Sequence, residues 1–281
     1  MLRLRVVTAI VLLAILLPAL ASSHPLPFAV VTLALIGAGA WEWTRLNGVA
    51  PAGALSAGVS LAAGGAIWLW VMADTSPAPI VWWASALTWV LGGAWALRVG
   101  PQAWHGAPVT LRVALGLGVL AMAWLAMVGA RAQGLNFILS VFCLVWVADI
   151  AAYAGGRLFK GPKLAPTISP GKTWSGALCG VVGVFALAGL WVFVERGWPE
   201  VEPSLFARLL RDGYAVAGVL ALALLAAMSV VGDLVESLVK RAAGVKDSSG
   251  LLPGHGGVLD RVDALLPVFP VALALVSGWA R

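Results

Sequence analysis

Apolar and polar positions alternate along this chain on the length scale of a lipid bilayer. Long apolar runs follow one another, and each approaches the ~20 residues that a transmembrane helix needs. No soluble domain interrupts the series, so the pattern predicts an all-α, polytopic integral membrane protein. Nine spans are predicted, at approximately residues 6–21, 27–43, 53–73, 79–97, 109–129, 134–153, 174–194, 213–232 and 264–280.

The first run has a second interpretation. Arg3 and Arg5 precede an apolar core that ends in small residues before Ser22, which is also the pattern of a secretory signal peptide. Because a polytopic protein needs no separate export signal, we favour a retained first span. Cleavage after Ala21 would leave the remaining topology unchanged.

The basic residues determine the predicted orientation. With the N-terminus in the cytoplasm, thirteen Lys and Arg residues fall in cytoplasmic segments and five fall outside. An excess of positive charge on the cytoplasmic side selects this orientation. The cytoplasmic residues are Arg3, Arg5, Arg45, Arg98, Arg112, Arg157, Lys160, Lys163, Lys172, Lys240, Arg241, Lys246 and Arg261, and the external ones are Arg131, Arg196, Arg208, Arg211 and Arg281.

This orientation places two polar loops, 154–173 and 233–263, on the same cytoplasmic side. We therefore divide the chain into an N-terminal region of transmembrane helices, residues 1–130, and a C-terminal region, residues 131–281, which carries both loops. Any chemistry that involves a soluble substrate is expected in the C-terminal region.

Composition supports the membrane assignment and limits the partners. Hydrophobic residues make up 61% of the chain and charged residues 11%, whereas about 25% charged residues is usual for soluble domains. The net charge of +6 is concentrated on the predicted cytoplasmic side, so it indicates membrane orientation and not nucleic-acid binding. Cys143 and Cys179 lie inside apolar runs, which favours buried structural thiols over a disulfide or a metal pair.

Polar residues concentrate in the stretch from Ser229 to Asp263. Asp233, Glu236, Ser237 and Lys240 are spaced to share one face of a helix. The opposite face is apolar, with Leu234, Val235, Leu238 and Val239. This arrangement predicts a helix with one polar side that continues to about Gly244.

A glycine-rich loop follows this helix. Ser248, Ser249, Gly250, Pro253, Gly254, Gly256 and Gly257 rule out a regular element. Beyond the loop, Asp260 and Asp263 lie three residues apart on one face of a new helix, with Arg261 beside them. Carboxylates at two helix ends, joined by a basic loop, suit a metal ion and a polyphosphate.

The second polar loop begins inside the sixth predicted span, where Asp149 and Tyr153 share one helix face. Pro162, Pro166 and Pro170 exclude a continuous helix over residues 160–172. Gly171-Lys172-Thr173 invites comparison with a phosphate-binding P-loop. That pattern requires a glycine where this chain has Pro166, and it requires a preceding strand, so we reject it.

Two motifs carry a family resemblance. One is the ordered set Ser237, Lys240, Arg241, Lys246, Asp247, Pro253, His255, Gly256, Gly257, Asp260, Arg261 and Asp263. The other comprises Lys163, Leu164 and Ala165 with Ser169 to Trp174. Together they resemble the phosphatidate cytidylyltransferases, also called CDP-diacylglycerol synthases, over roughly residues 145–265. One departure is Ile150, where the family often carries a hydroxyl residue.

The resemblance implies the transfer of CMP from CTP to phosphatidic acid, which gives CDP-diacylglycerol and pyrophosphate in phospholipid biosynthesis. It implies a multi-pass protein of the bacterial inner membrane with cytoplasmic active-site loops. It further implies Mg²⁺, alone or with a second cation, and is compatible with a homodimer.

The same resemblance implies three sets of site residues. Asp233, Asp260 and Asp263 are expected to bind the metal, and these three with Lys240 and Arg241 to be catalytic. Residues expected near the nucleotide are Asp149, Lys163, Ser169, Lys172, Thr173, Lys246, Asp247, His255, Gly256, Gly257 and Arg261.

Plainer interpretations stand beside these roles. Lys240, Arg241 and Lys246 are each typical of cytoplasmic anchors, and His255 of a turn between glycines. Glu42, between two tryptophans, is interpreted as an interfacial residue. Asp149, Asp233 and Glu236 are stronger functional candidates, since an ionisable group at membrane depth costs about 2.5–3.5 kcal/mol.

Two other functions are left open by the sequence. A CTP-dependent kinase acting on an isoprenoid alcohol would need similar groups and also a base for the hydroxyl. A cation- or proton-coupled transporter would place acids at the bilayer midplane, whereas the acids here are predicted at span ends on one side.

Overall fold

The computed structural model describes residues 2–72, 75, 77–211 and 215–278, and this part of the chain is mostly helical. A π-helical turn, Thr88–Gly92, joins the helix Pro79–Leu87 to the helix Gly93–Gly106. The helices are α1 (Leu2–Ala21), α2 (Leu26–Leu46), α3 (Pro51–Val71), α4 (Pro79–Leu87), α5 (Gly93–Gly106), α6 (Val109–Ala132), α7 (Leu135–Phe159), α8 (Trp174–Glu195), α9 (Leu205–Leu209), α10 (Ala215–Ala242), α11 (Leu259–Val262) and α12 (Leu265–Gly278).

The predicted fold class is confirmed. Within the described residues, seven helical segments are long and apolar enough to cross a membrane: α2, α3, the segment Pro79–Gly106, which is kinked at Gly100, α6, α7, α8 and α10. The other two predicted spans are also helical but shorter, at Val6–Ala21 and in the 14 residues of α12. The count of nine and the side of the N-terminus stay predictions. Residues 73, 213–214 and 279–280 of the predicted spans, and Arg281, lie outside the described residues.

The first helix is integrated into the fold. Arg131 of α6 donates from Nε to the Leu20 carbonyl (3.1 Å) and from Nη2 to the Ser22 carbonyl (2.7 Å). Thr8 Oγ1 of α1 donates to the Pro253 carbonyl at 2.9 Å, so α1 also contacts the glycine-rich loop. α1 therefore contacts both α6 and the glycine-rich loop, and its retention as a span stays a prediction.

Two helices are longer than the apolar pattern indicates. α7 continues six residues beyond the predicted span to Phe159, and α10 continues ten residues to Ala242. Asp149 is ten residues, or ~15 Å, from the end of α7, and Asp233 lies at a similar depth in α10. Helix periodicity ends where expected, because Gly244 has the left-handed φ of +73°. Both acids thus lie within helices and not at their ends.

The proline-containing loop forms a small hairpin that the sequence did not predict. β1 (Lys163–Ala165) and β2 (Ser169–Thr173) pair antiparallel, with Lys163 opposite Thr173. Thr173 then caps α8, its Oγ1 accepting from the Gly176 N–H at 3.1 Å. The hairpin therefore delivers Lys172 directly to the beginning of a membrane helix.

α7 and α8 pack closely through glycine. A Cβ at Gly176 would lie 2.7 Å from the Ala152 carbonyl oxygen, and one at Gly180 would lie 2.9 Å from that of Ala148. Such small-residue contacts let membrane helices approach backbone to backbone. This packing holds Asp149 on α7 beside the hairpin that precedes α8.

Candidate active site

A cavity of about 770 Å³ opens between α7, the hairpin, the first turn of α8 and α10. Four cationic side chains line it: Arg157, Lys160, Lys163 and Lys172. Two carboxylates, Asp149 and Asp233, face the same space. The remaining lining residues include Tyr153, Gly156, Ser169, Gly171, Thr173 and Gly176. The charged side chains that line the cavity therefore carry a net positive charge, although much of its surface is apolar.

Asp233 and Lys172 form the ion pair at the centre of this cavity. Lys172 Nζ lies 2.7 Å from Asp233 Oδ2, and Ser237 Oγ donates to Asp233 Oδ1 at 3.3 Å. Both charged side chains stay partly exposed, at 24% and 30%, so they remain accessible to a ligand. Asp149 lies close enough to interact electrostatically with both. One cation thus faces two carboxylates.

A second ion cluster is centred on Lys240. Lys240 Nζ donates to Asp260 Oδ1 at 2.6 Å and contacts Glu236 Oε2, one turn earlier on α10. The three side chains are nearly buried, with exposed fractions of 4–11%. The ammonium group therefore joins α10 to α11 instead of facing the solvent.

Asp260 is held by several donors at once. Its Oδ2 accepts from the Ser248 N–H (2.9 Å), the Ser248 hydroxyl (2.8 Å) and the Gly257 N–H (2.7 Å). Burial favours the neutral acid, but the hydrogen bonds from Lys240, Gly257 and Ser248 outweigh it and lower the pKa of Asp260 to about 2. The group is thus a firmly ionised carboxylate whose acceptor sites are already used.

Asp263 has a different environment. Its Oδ1 accepts from the Ala264 N–H at 2.8 Å. Burial, with the nearby negative charge of Asp233, raises the pKa of Asp263 above its usual range. α10 packs directly against the segment between α11 and α12, because a Cβ on Gly232 of α10 would collide with the Asp263 carbonyl oxygen. Asp149, Asp233 and Asp263 therefore interact electrostatically with one another.

The residues fit a divalent cation only in part. Among the described residues no group of three His, Cys, Asp or Glu side chains is arranged to hold a metal ion by itself. Mg²⁺ needs only one or two protein carboxylates when substrate phosphates and waters complete its shell. Asp233 and Asp263 satisfy that condition, since each keeps oxygen acceptor sites that the contacts of Lys172, Ser237 and Ala264 do not use. Asp260 fits less well because Lys240 and three further hydrogen bonds occupy its oxygens.

The glycine-rich loop forms a separate groove of about 580 Å³, lined by Lys246, Asp247, His255, Gly256 and Arg261, among others. The side chain of Arg261 turns back onto the loop, where Nε and Nη2 both donate to the His255 carbonyl. Gly256 has a φ of +85°, a conformation that favours glycine. These residues, which are predicted to lie near the nucleotide, therefore lie together in this groove and not in the cavity that Lys172 lines.

Comparison with known proteins identifies the family. The model of the Cytidylyltransferase family matches residues 3–279. The chain belongs to the cytidylyltransferase family. Three relatives bear the name phosphatidate cytidylyltransferase. The protein of Pseudomonas aeruginosa is 39% identical over 99% of both chains, and that of Haemophilus influenzae 32% over 96% of both. The chloroplastic form 5 of Arabidopsis thaliana is 40% identical over 54% of this chain and 34% of its own.

Membership makes this chain a nucleotidyltransferase, as the resemblance implied, and supports neither the kinase nor the transporter alternative. In this cytidylyltransferase most of the predicted site residues lie in three places, and Asp263, Gly257 and Arg241 lie outside them. The cavity collects Asp149, Lys163, Ser169, Lys172, Thr173 and Asp233; the buried cluster holds Lys240 and Asp260; the loop groove holds Lys246, Asp247, His255, Gly256 and Arg261. Their individual roles stay predictions.

Arg241 lies in none of the three places. Its Nε donates to the Ile168 carbonyl (3.3 Å) and its Nη1 to the Val245 carbonyl (3.0 Å). Ile168 is buried in the turn between β1 and β2. The guanidinium thus connects the end of α10 to the hairpin, a contact that orients the cavity wall.

The interpretation of Glu42 as an interfacial residue is wrong. Glu42 of α2 is completely buried and accepts hydrogen bonds from the Ser249 hydroxyl and the N–H groups of Val258 and Leu259, and it shares the Ser248 proton with Asp260. The signal in the sequence was an acid inside an apolar run, which is costly unless it has partners. Its flanking tryptophans, Trp41 and Trp43, suggested the membrane surface instead. Glu236, named with the polar helix face but not among the site residues, is likewise brought to Lys240.

Proposed function

We propose that this chain transfers the cytidylyl group of CTP to phosphatidic acid, which yields CDP-diacylglycerol and pyrophosphate. The observation that carries the proposal is the Lys172–Asp233 pair, which lies in a positively lined cavity among membrane helices. The names of the relatives from two bacteria and a plant support the same reaction.

The chemistry matches the groups that are available. A phosphate oxygen of the lipid attacks the α-phosphorus of CTP, a new P–O bond forms, and the electron pair of the broken bond leaves with pyrophosphate. That oxygen is already anionic near neutral pH, so no strong base is needed. The obstacle is repulsion between two polyanions, which cationic side chains reduce. Lys172, Lys163, Lys160 and Arg157 are the cations that line the cavity.

The surroundings of the cavity suit a lipid acceptor. Ile150, Tyr153 and Trp174 are 68%, 69% and 56% exposed, so apolar and aromatic surface lies beside the polar lining. Acyl chains can pack on that surface while the phosphate head group enters between α7 and α10. Arg157 donates to the Tyr153 hydroxyl at 2.9 Å, which keeps a cation at this edge.

We assign Asp233 and Asp263 as the residues that would hold Mg²⁺, with Asp149 nearby. When bound, the ion supplies positive charge that neutralises the phosphates and aligns them for in-line displacement. The need for a second cation and the homodimer stay predictions, as does the location in a bacterial inner membrane with cytoplasmic loops.

The test is turnover by the purified protein in detergent with phosphatidate and Mg²⁺, using CTP labelled either in the cytosine ring or at the γ-phosphate. Ring label should enter the lipid, and γ-label should leave in pyrophosphate. Entry of γ-label into a lipid alcohol would support the kinase, and nucleotide-independent ion flux in liposomes would support the transporter. Either result would overturn the proposal.

A further inference from the structure

Glu42 lies far from the polar loops in the sequence but is connected to them in the fold. It belongs to α2, more than 200 residues before the segment it contacts, and its side chain is completely buried. Among the described residues no cation forms a salt bridge with it. A buried carboxylate without a cation must be stabilised by hydrogen bonds.

Three donors supply that stabilisation, and the Ser248 hydroxyl is a fourth, whose single proton is shared with Asp260. Oε1 accepts from the Ser249 hydroxyl (2.6 Å) and the Val258 N–H (2.9 Å). Oε2 accepts from the Ser248 hydroxyl (3.1 Å) and the Leu259 N–H (2.8 Å). Glu42 therefore holds both ends of the segment 248–259.

This segment positions Asp260. The Ser248 hydroxyl lies between the two acids, 3.1 Å from Glu42 Oε2 and 2.8 Å from Asp260 Oδ2. Leu259, whose N–H is bound by Glu42, directly precedes Asp260, and Asp260 binds Lys240 at 2.6 Å. The chain of contacts runs from α2 through the loop to the buried cluster on α10.

The close packing at Gly257 supports this connection. A Cβ at this position would collide with the Ser248 hydroxyl and with Glu42 Oε1. Gly257 thus lets the loop approach Glu42. The need for a glycine at this position, which is predicted to lie near the nucleotide, is therefore explained by packing. A Cβ added at Gly39, one turn before Glu42, would lie 3.2 Å from Leu259 Cδ2, a tight contact.

From this geometry we infer that Glu42 is a positioning residue for nucleotidyl transfer, which acts by holding segment 248–259 so that Asp260 orients Lys240. The inference rests on the proposed function for its kinetic consequence. The structural part, that Glu42 anchors the segment, is independent of the substrate.

Glu42→Gln is the informative variant because each oxygen of Glu42 accepts from one backbone N–H. In either orientation of the glutamine amide, its NH₂ group faces the N–H of Val258 or Leu259. Two donors then face each other, and a backbone N–H cannot act as an acceptor, so one hydrogen bond is lost. Loss of such a supporting contact costs about 10–100-fold in activity. We expect kcat to fall by that factor at a temperature where the protein is folded, with little change in KM for CTP.

Glu42→Asp retains both acceptor oxygens on a shorter side chain and should recover part of the lost kcat. Should Glu42→Gln fail to fold, Glu42→Asp carries the same test with a smaller expected loss. The matched control is Glu195→Gln. Glu195, at the opposite end of α8 from the cavity, accepts from the N–H and the hydroxyl of Ser204, so Gln removes the same charge but can keep both contacts, because the hydroxyl can accept from its NH₂ group. Its kcat should be unchanged.

Hydrogen exchange gives a readout that does not depend on turnover. In Glu42→Gln the amides of Val258 and Leu259 should exchange faster than in the wild type, and in Glu195→Gln they should not. If the wild-type protein is inactive but exchange at the two amides changes as expected, the proposed function is rejected while the anchoring role of Glu42 stands. Active wild-type protein with unchanged kcat in Glu42→Gln, or unchanged exchange at the two amides, would overturn the inference about Glu42.

Discussion

At the scale of single residues, the acids of this enzyme have different tasks although they share a charge. Asp233 is partly exposed in the cavity, with one lysine 2.7 Å away. Asp260 is nearly buried and its oxygens accept four hydrogen bonds. A carboxylate that binds a metal ion must have free oxygen lone pairs, whereas one that orients a lysine need not. The two acids should therefore respond differently to Mg²⁺.

We predict that Asp233→Asn and Asp260→Asn both lower kcat by about 100-fold or more, since each removes charge that organises the phosphates. Raising the Mg²⁺ concentration should restore part of the activity of Asp233→Asn and little of that of Asp260→Asn. A Mg²⁺ titration of turnover measures the difference, with Glu200→Gln on an exposed loop as the control. Rescue of Asp260→Asn alone would instead place Asp260 in the metal shell.

At the scale of helices, the active site depends on how closely α7 and α8 approach. Gly176 and Gly180 face carbonyl oxygens of α7, and Gly155 of α7 faces the Cys179 side chain. These contacts set the distance between Asp149 on α7 and the hairpin in front of α8. Glycine is required at such positions because any side chain would push the helices apart.

We predict that Gly176→Ala destabilises the protein by about 1–3 kcal/mol, as expected for overpacking against a backbone atom. Gly189→Ala is the matched control on the same helix: no atom lies within 4 Å of its added Cβ, and alanine is the better helix former. This variant should be neutral or slightly more stable. Thermal inactivation in detergent compares the two, and equal stability would reject the packing argument.

At the scale of the whole molecule, the proposed reaction needs both polar loops on one side of the membrane. The hairpin contributes Lys172 and α10 contributes Asp233, and these two side chains are in contact. That contact fixes the relation between the two loops, but not the side on which they lie. The excess of basic residues predicts the cytoplasm.

We predict that cysteines introduced at Thr167 and Gly250, both exposed, are labelled by an impermeant reagent only after the cells are opened. A cysteine at Glu200, on the other face, should be labelled in intact cells. Cys143→Ser and Cys179→Ser provide the background for these variants. Ser248 is unsuitable as a labelling position because it is buried against Glu42. Labelling of position 167 or 250 from outside would reverse the proposed orientation.

The sequence by itself determined the membrane class, the helical fold and the family, because apolar length and motif spacing are local properties. It also identified Lys172, Asp233, Lys240 and Asp260 as candidates. Only the tertiary structure decided which of them meet: Lys172 pairs with Asp233 across two loops, while Lys240 is drawn to Asp260 and Glu236.

Residues that act through distant partners could not be assigned from local patterns. Glu42 reads as an interfacial acid next to Trp41 and Trp43, and its role appears only when α2 packs against a segment more than 200 residues away. The prolines of residues 160–172 exclude a helix there, but the sequence does not predict the strands of the hairpin at 163–173. Their pairing depends on α7 and α8, which bring the ends of the hairpin together. A carboxylate's function follows from its donors and its exposure, and the fold decides both.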